Sequence, residues 1–395
     1  MKPQIIITGA GVSGSSLAIR LAQNGFRVTL VEREKFPRHK LCGEFISPEC
    51  LTHFRDLGVF EEMRAAGGDT IFKTVFYAPG GASVTVPSKW FDHGSGGALG
   101  LSRAEMDFQL LKRARNLGVE VLEETQVVGL LWEREQVCGV KVRSKSGQHS
   151  ELTADLTVDA TGRAAVLSRF ANRQSGQAGK ISQRIASSGA QSSKAKLIGF
   201  KAHLKNAQIE PGVCEMYFFR GGYGGLIQIE NDLSNHCFLI KADVVREFGN
   251  NAERVFREVV FQNKRAAETL RHSQTAFDWI AVSIDSFGTK SLAPAPRLLT
   301  IGDAAAFIDP FTGSGMLMAL ESSKIAAQAI LLNYAEVKQI ALAYEKLHRQ
   351  KFRTRLRYCS LFRKAAFATN LTSIGVRVLS MSSLARRALA QATRN

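Results

Sequence analysis

The sequence predicts an α/β protein with two lobes and a helical C-terminal tail. The chain has 395 residues, about two to three times the usual length of a domain, so more than one lobe is expected. Hydrophobic residues make up 45% and charged residues 22%, a balance that excludes a mostly disordered or fibrous chain. The N-terminus follows the order strand, helix, strand. Short β-type runs, among them 152–158, fill much of the middle of the chain, and helices are predicted over 103–117 and 253–270.

The N-terminal unit is a strand, a glycine-rich turn, a helix and a second strand. Residues 4–8 form an apolar run, and the turn 9–14 follows directly. Helical spacing continues over 15–24, and 27–31 is the second strand. This order is typical of the βαβ unit that opens a nucleotide-binding domain.

The turn has the spacing GxGxxG, and each glycine has a physical task. Gly9 permits the tight turn, Gly11 lets a pyrophosphate approach the backbone, and Gly14 lets the helix pack closely on the strand. Free N–H groups at the start of the helix, around Val12 and Ser13, would receive the phosphate. We therefore predict that these five residues bind a dinucleotide.

The end of the second strand supplies a carboxylate. Glu32 lies eighteen residues after Gly14, at a position where it would accept hydrogen bonds from ribose hydroxyls. Arg33 follows it and is included in the predicted cofactor site. The N-terminal unit alone does not choose between NAD and FAD.

A second half-site near the C-terminus makes that choice. The buried strand 298–301 ends at Gly302 and Asp303, whose carboxylate would bond a ribityl or ribose hydroxyl. Glycines after it allow close approach to a flat ring, and the helix N-terminus stabilises negative charge on a reduced ring. The predicted residues of this turn are Pro310, Gly313, Ser314 and Gly315. A nicotinamide dehydrogenase has no use for such a half-site, so FAD is favoured.

Four motifs together resemble the FAD-dependent oxidoreductases of the p-hydroxybenzoate hydroxylase fold. They are Gly9–Gly14 with Glu32-Arg33, the segment 101–107 (LSRAEMD), the segment 158–163 (VDATGR), and Gly302-Asp303 with Pro310 and Gly313–Gly315. The resemblance covers roughly residues 4–345. That superfamily includes aromatic-ring hydroxylases, geranylgeranyl reductases and flavin-dependent halogenases.

The resemblance implies a fold and a set of cofactor contacts. The fold is a Rossmann-like FAD-binding domain built from discontinuous segments, with an inserted β-rich substrate lobe. The implied contacts are Glu32 to the adenosine ribose, Arg103 to the flavin or pyrophosphate, Asp303 to the ribityl-phosphate region and Gly313–Gly315 to the isoalloxazine. Val127 is also included among the cofactor-binding residues, and Asp159 matches an Asp of a motif that serves both FAD and NADPH in hydroxylases. No catalytic residue and no metal ligand is assigned.

These expectations divide the chain into seven segments. The FAD-binding domain is expected to comprise residues 1–68, 98–171 and 285–345. The substrate lobe is expected to comprise residues 69–97 and 197–284. Residues 172–196 are predicted to form a flexible basic loop, and residues 346–395 a basic helical tail.

The reaction is not fixed by any single residue. We favour a monooxygenase that hydroxylates an apolar or aromatic, lipid-like small molecule with O2, and with NAD(P)H as a transient reductant. A flavin-dependent reductase of a C=C bond is the alternative, and a non-catalytic flavoprotein has no supporting motif. Halogenation has the least support, because the Trp-x-Trp-x-Ile-Pro motif of halogenases is missing and Lys73 is better explained as a solvated strand residue.

Some residues bear on the reaction without deciding it. The segment Cys42-Gly43-Glu44 is similar to one that runs under the flavin in lipid reductases, where the third residue is Gly rather than Glu. Cys42 is better explained as a buried inert thiol than as a flavin neighbour. Five phenylalanines of the predicted substrate lobe fit an apolar substrate or simple core packing: Phe72, Phe76, Phe200, Phe218 and Phe219.

The net charge of +17 is concentrated in two segments. Residues 346–395 contain twelve Lys/Arg and 172–196 contain five, and neither segment contains Asp or Glu. Basic and large apolar side chains alternate along the tail, which fits either contact with an anionic membrane or a helix packed on the body. No nucleic-acid motif accompanies the charge, so a nucleic-acid partner is not expected. Without a recognisable signal peptide, we expect a cytoplasmic protein, with a peripheral membrane position as the alternative.

Overall fold

The computed structural model describes residues 2–92, 94–174, 197–284, 287–307 and 313–366, together with 376, 382–384 and 386–387. The strands are β1 (Gln4–Thr8), β2 (Arg27–Val31), β3 (Phe45–Ile46), β4 (Asp69–Ile71), β5 (Lys73–Tyr77), β6 (Ser83–Pro87), β7 (Ala98–Gly100), β8 (Glu120–Leu122), β9 (Thr125–Glu133), β10 (Gln136–Ser144), β11 (His149–Thr153), β12 (Leu156–Asp159), β13 (Leu197–Lys205), β14 (Val213–Phe219), β15 (Gly222–Gln228), β16 (Ser234–Lys241), β17 (Gln274–Thr275), β18 (Ile280–Ile284), β19 (Gly288–Thr289), β20 (Leu298–Thr300) and β21 (Ala306–Phe307). The helices are α1 (Val12–Gln23), α2 (Pro48–Leu57), α3 (Phe60–Ala65), α4 (Arg103–Asn116), α5 (Val166–Gln174), α6 (Ala242–Glu247), α7 (Ala252–Glu258), α8 (Lys264–Leu270), α9 (Gly315–Asn333) and α10 (Val337–Ala366).

A five-stranded parallel sheet forms the centre of the first lobe, in the order β20-β12-β1-β2-β8. Its three adjacent strands β20, β12 and β1 come from distant parts of the chain. Ile5 and Ile7 on β1 are fully buried, as expected where helices cover both faces of a parallel sheet. Helix α1 packs against α4 and α9 on this sheet. The structure confirms an α/β domain assembled from discontinuous segments.

The second lobe is built on an eight-stranded sheet in the order β17-β13-β16-β15-β14-β5-β6, with β18 beside β13. The β5–β6 hairpin comes from the early insertion and joins β14 in parallel; the other pairs are antiparallel. Helices α6, α7 and α8 cover one face of the sheet with an aromatic-rich core. The other face turns towards the first lobe and carries Phe218, Tyr223 and Leu239. The predicted β-rich lobe is therefore present.

Two predicted elements are interrupted by side-chain hydrogen bonds. A single strand was predicted over 152–158, but β11 and β12 belong to different sheets. The chain turns between them, where the Asp155 carboxylate accepts from the Gln4 N–H at 2.8 Å. A single helix was predicted over 253–270, but Asn263 separates α7 from α8. Its side chain caps α8 and donates to the carbonyls of Tyr77 and Phe218.

Helix α10 begins before the predicted tail and continues into it. Tyr344 and Phe352, on opposite sides of the predicted boundary at 345/346, are both buried in the core of the first lobe. The first part of the basic tail is therefore part of the body. Of the predicted basic loop 172–196, residues 172–174 end α5, and the rest lies outside the described residues.

Helix α9 has the length and apolar composition of a membrane-crossing helix. In its most apolar window, 61% of the residues are buried inside the protein, and it packs between α1 and α10. Core packing therefore accounts for its hydropathy.

Candidate active site

A cavity of about 930 Å³ lies between the glycine-rich turn and the apolar face of the eight-stranded sheet. Its volume is at the upper end of the range for ligand pockets, roughly 300–1,000 Å³. Eight of the residues predicted to bind the cofactor line it: Gly11, Val12, Ser13, Arg33, Arg103, Asp303, Gly313 and Gly315. The two half-sites predicted from distant segments thus face one space.

The glycine-rich turn has the shape that a phosphate group needs. Gly9 has a φ of +100°, and a Cβ on it would lie 2.5 Å from the Ala160 carbonyl oxygen. A Cβ on Gly14 would lie 1.8 Å from the Gly9 oxygen, so the helix packs directly on the turn. At Gly11 the one heavy atom of the described chain within 4 Å of a Cβ would be an Arg103 nitrogen, at 3.9 Å. Helix α1 begins there without a side-chain cap, and its free N–H groups fit a pyrophosphate.

Glu32 is anchored beside this turn. Its two carboxylate oxygens accept from the N–H groups of Ala10 at 2.8 Å and Glu34 at 3.1 Å. The Arg38 guanidinium lies 3.6 Å away. A fixed carboxylate at the end of β2 is consistent with ribose binding, which stays a prediction. Arg33 is exposed at the rim of the cavity and pairs with Glu34.

Arg103 presents a permanent positive charge to the cavity. Its guanidinium forms two hydrogen bonds with Asp107, at 2.9 and 2.6 Å. Burial alone would lower the pKa of Arg103, but the neighbouring Asp107 carboxylate raises it above its ordinary value. The side chain is buried and close to Gly11, so it is placed to contact the phosphates or the flavin.

The second half-site meets the first at Gly302. A Cβ on Gly302 would lie 2.5 Å from the Ser13 hydroxyl. Asp303 follows it and lines the cavity, where burial raises the pKa of its carboxyl against the opposing charges of Lys40 and Arg103. Two residues outside the motif hold this turn. Ser322 accepts from the Gly302 N–H at 3.0 Å, and the Tyr344 hydroxyl donates to the Thr300 carbonyl at 2.8 Å.

The described residues at the start of α9 leave space for a flat ring. Gly313 has a φ of +60°, and a Cβ on it would lie 3.5 Å from the Phe45 ring. Among the residues that the structure describes, none has a heavy atom within 4 Å of a Cβ placed on Gly315. Ser314 is the N-cap residue, although its own side chain does not cap the helix. Pro310 lies outside the described residues. Together with the two half-sites, these residues fit FAD.

Two residues given cofactor roles are occupied by packing or internal hydrogen bonds. Val127 is buried in a core cluster with Val31 and Val142, and it does not line the cavity. Its side chain therefore packs, and any cofactor contact of its backbone stays a prediction. The Asp159 carboxylate accepts from the Thr161 side chain and from the N–H groups of Leu167 and Ser168. It shapes the turn before α5 and is buried.

The prediction for Cys42 was wrong in one respect. Cys42 is half-buried and lines the cavity rather than lying in the core. The residues beside it, His39, Lys40 and Glu44, also line the cavity, and sequence reasoning assigned them no role. The sequence offered one signal for this group: Glu44 stands where the similar segment of lipid reductases has its second Gly.

Lys73 lies away from the cavity. Its side chain is 45% exposed and lies 3.8 Å from Glu210, as expected for a solvated strand residue.

The far part of the cavity is apolar. We call it the apolar chamber, and its wall includes Phe76, Val84, Val86, Phe218, Tyr223, Leu239, Val282 and Ile284. The alternation along β14 explains why Phe218 faces the chamber and Phe219 the opposite core. Phe72 is 62% exposed and Phe200 belongs to the opposite core.

Within the described ranges, no group of His, Cys, Asp and Glu side chains is arranged to hold a metal ion.

The fold and the paired half-sites define an FAD-binding flavoprotein. The family model described as FAD binding domain matches residues 2–349, and the chain belongs to this family. It is 26% identical over 357 residues to digeranylgeranylglycerophospholipid reductase of Methanosarcina acetivorans, covering 87% of this chain and 78% of the relative. It is 27% identical over 335 residues to squalene monooxygenase of Mus musculus, covering 83% of this chain and 54% of the relative.

A solved structure shows the same fold. The myxobacterial chondrochloren halogenase has a TM-score of 0.75 at 23% identity, over 89% of this chain and 80% of that one. Two other curated relatives are longer proteins, of whose length this chain spans 63% and 60%. The names of these relatives cover reduction, oxygenation and halogenation. The chain is therefore an FAD-binding protein by family, and the family does not choose its reaction.

Proposed function

We propose that the protein is an FAD-dependent monooxygenase that hydroxylates an apolar or aromatic, lipid-like small molecule, with NAD(P)H as reductant and O2 as co-substrate. Bound FAD would supply the redox chemistry of this reaction. The observation that carries the proposal is the apolar chamber, which opens directly onto the turn predicted to hold the flavin ring. Exclusion of water by such a wall protects reactive intermediates from side reactions.

The chamber also offers one polar anchor. Arg386 lines it beside Val376, and its guanidinium donates to the Thr85 carbonyl at 3.4 Å. Within the described part of the chain, the buried Nε of Arg386 has no hydrogen-bond partner. A carbonyl or acid group on an otherwise apolar substrate would satisfy this nitrogen. The chamber therefore favours a substrate with an apolar body and a polar end.

Reduction of a C=C bond is the second candidate. It is favoured by Cys42, because a thiol at the cavity wall is a potential proton donor to a carbon atom. The match to the lipid reductase over most of both chains adds to this candidate. Halogenation has less support because Lys73 lies outside the cavity lining and is paired with Glu210.

Product analysis tests the choice. Purified yellow protein is incubated with NADPH or NADH, 18O2 and a panel of apolar alkenes and aromatic acids, and the products are analysed by mass spectrometry. Hydroxylation predicts one labelled oxygen atom per product. A saturated product without oxygen would transfer the assignment to the reductase, and a halogenated product would contradict both.

Substrate binding in the apolar chamber is tested separately, with a variant that reduces the volume of the chamber. Phe76→Trp adds volume to the wall and is expected to raise the KM for an apolar substrate, with FAD content unchanged. Phe72→Trp is the matched control, because Phe72 is exposed in the turn before the same strand. Equal KM values for the two variants would contradict substrate binding in the chamber.

A further inference from the structure

A buried cluster of ionisable side chains adjoins the cavity. We call it the Glu44 cluster, and it consists of Glu44, Lys201 and His203. Their exposed fractions are 0%, 1% and 3%. One Glu44 oxygen accepts from Lys201 Nζ at 2.5 Å and from the Arg103 N–H at 2.7 Å. The other lies 2.8 Å from Nε2 of His203.

The cluster joins the two lobes at the cavity. Glu44 precedes β3, has a φ of +56°, and lines the cavity. Lys201 and His203 both come from β13 of the second lobe, and their side chains reach the same carboxylate because they are two residues apart on one strand. A buried carboxylate is costly unless it is paired and hydrogen-bonded, so three donors at this position indicate a built site.

The outer side of the cluster reaches the surface. The rings of His203 and His39 are in edge-to-face contact, with centroids 5.0 Å apart. Exposed Phe277 packs against both rings, at 5.1 Å from His39 and 6.1 Å from His203. His39 is itself exposed to solvent. A line of side chains therefore runs from solvent, through His39 and His203, to Glu44 at the cavity.

Both candidate reactions need such a connection. Hydroxylation converts substrate, O2, NAD(P)H and one proton into alcohol, water and NAD(P)+. Reduction of a C=C bond converts alkene, NAD(P)H and one proton into the saturated product and NAD(P)+. In each case one proton must enter a cavity whose substrate part is apolar.

We propose that His203 and Glu44 form the proton entry route of this site. A proton arriving from the side of His39 binds Nδ1 of His203 while the Nε2 proton passes to Glu44, which releases it into the cavity. Lys201 and the Arg103 N–H hold the Glu44 oxygen that does not face His203, and they act as positioning groups. The proposal rests on the flavin-dependent oxidoreductase function, but it is the same for hydroxylation and for reduction.

The surroundings of Glu44 and His39 disfavour the retention of a proton on either group. Burial alone would raise the pKa of Glu44, but the hydrogen bond from His203 and the charge of Lys201 lower it. Burial lowers the pKa of His39, and nearby His203 and Lys201 lower it further. A proton on either group is therefore readily given up. Among the described residues, Glu230 acts on His39, and the Cys42 and Cys237 thiols lie near Glu44.

The test uses His203→Gln in the holoenzyme. Glutamine can still donate a hydrogen bond to Glu44, but it cannot bind and release protons at neutral pH. We expect NAD(P)H-dependent turnover to fall about a hundredfold, with a larger solvent deuterium isotope effect and an unchanged FAD content and melting temperature. His149→Gln, on exposed strand β11, is the matched control and should behave like the wild type. Unchanged turnover and isotope effect in His203→Gln would overturn the proposal.

A second measurement does not depend on activity. Histidine 15N NMR of the protein without FAD should show a proton on Nε2 of His203 that is hydrogen-bonded to Glu44. Glu44→Gln should remove that signature. An imidazole spectrum that is the same in both proteins would contradict the pairing. Failure of the proposed hydroxylation would appear instead as an unoxygenated product with a normal proton route.

Discussion

Two glycines of the same turn are expected to respond differently to substitution. A side chain at Gly11 would project into open cavity, so Gly11→Val should fold normally and lose FAD affinity by about a hundredfold. A Cβ at Gly14 would overlap the Gly9 carbonyl, so Gly14→Ala should lower the free energy of unfolding by about 3 kcal/mol or more. Flavin absorbance and thermal melting of the two purified variants measure the difference. Colourless wild-type protein that takes up no FAD would contradict the site.

The sequence could predict the glycine-rich turn because its signal is local. Gly9, Gly11 and Gly14 lie within six residues and form a recognisable spacing, although Gly9 also lies against the distant Ala160 carbonyl. The position of Cys42 and the partners of Glu44 could not be predicted in this way. Lys201 and His203 are more than 150 residues further along the chain, and nothing near Glu44 in the sequence indicates them.

Helix α10 supports the cofactor site through one hydroxyl group. Tyr344 donates to the Thr300 carbonyl and contacts the Ser322 hydroxyl, which in turn holds the Gly302 N–H. Tyr344→Phe should lower the free energy of unfolding by about 1–2 kcal/mol and weaken FAD binding several-fold. Tyr334→Phe, at the exposed end of α9, should change neither. Unaltered FAD affinity in Tyr344→Phe would show that the turn keeps its shape without this bond.

Glu321 ties α9 to both α2 and α10 and makes stability depend on pH. Its carboxylate lies 3.2 Å from His53 and 3.3 Å from Lys351. Burial alone would raise the pKa of Glu321, but His53 and Lys351 lower it to about 2. Because the folded pKa is below the unfolded one, this stabilisation is present above about pH 4.3 and is lost as pH falls towards 2.

The matched experiment compares Glu321→Gln with Glu336→Gln, an exposed residue between α9 and α10. Glu321→Gln should lose about 1–2 kcal/mol at neutral pH, after discounting for solvent screening. Its stability should also fall less between pH 4.3 and 2 than that of the wild type. Parallel stability curves for all three proteins in urea unfolding would contradict the role of this carboxylate.

Elements with a continuous pattern were predicted closely, and elements broken by distant contacts were not. Helix α4 was predicted over 103–117 and runs Arg103–Asn116, because its apolar spacing is uninterrupted. The break at Asn263 depends on carbonyls of Tyr77 and Phe218, far away in the sequence. The composition around Asn263 gives no hint of these partners, so a single helix was the natural expectation.

The basic tail, residues 346–395, carries twelve Lys/Arg and no Asp or Glu, so it bears on whether the protein lies at a membrane. Phe352 is in the core, so a deletion from residue 350 would remove part of the body. A chain ending at Ala366 retains Phe352 but loses Val376 and Arg386, which line the cavity. We propose that the part of the tail beyond Ala366 attaches the protein to anionic membranes. Full-length protein should pellet with phosphatidylserine vesicles at about 0.1 M salt and less at about 0.5 M. Protein ending at Ala366 should keep FAD and not pellet.

The same truncation tests packing of the tail. Val376 is buried with Phe218 and Tyr223, so its removal should lower the melting temperature by about 3 °C. If full-length protein ignores anionic vesicles even at low salt while truncation still destabilises it, the tail is structural and the membrane proposal fails.

The order of strands in the first lobe has a consequence for biosynthesis. Strand β1 and helix α1 are made first, but β20 and α9, which complete their sheet and cover α1, come from residues beyond 297. At about 5–20 residues per second, the ribosome needs about 15–60 s to reach them. During that time the phosphate-binding helix has an uncovered apolar face and half a binding site. FAD binding therefore has to follow the synthesis of α9, and until then that apolar face is open to nascent-chain chaperones.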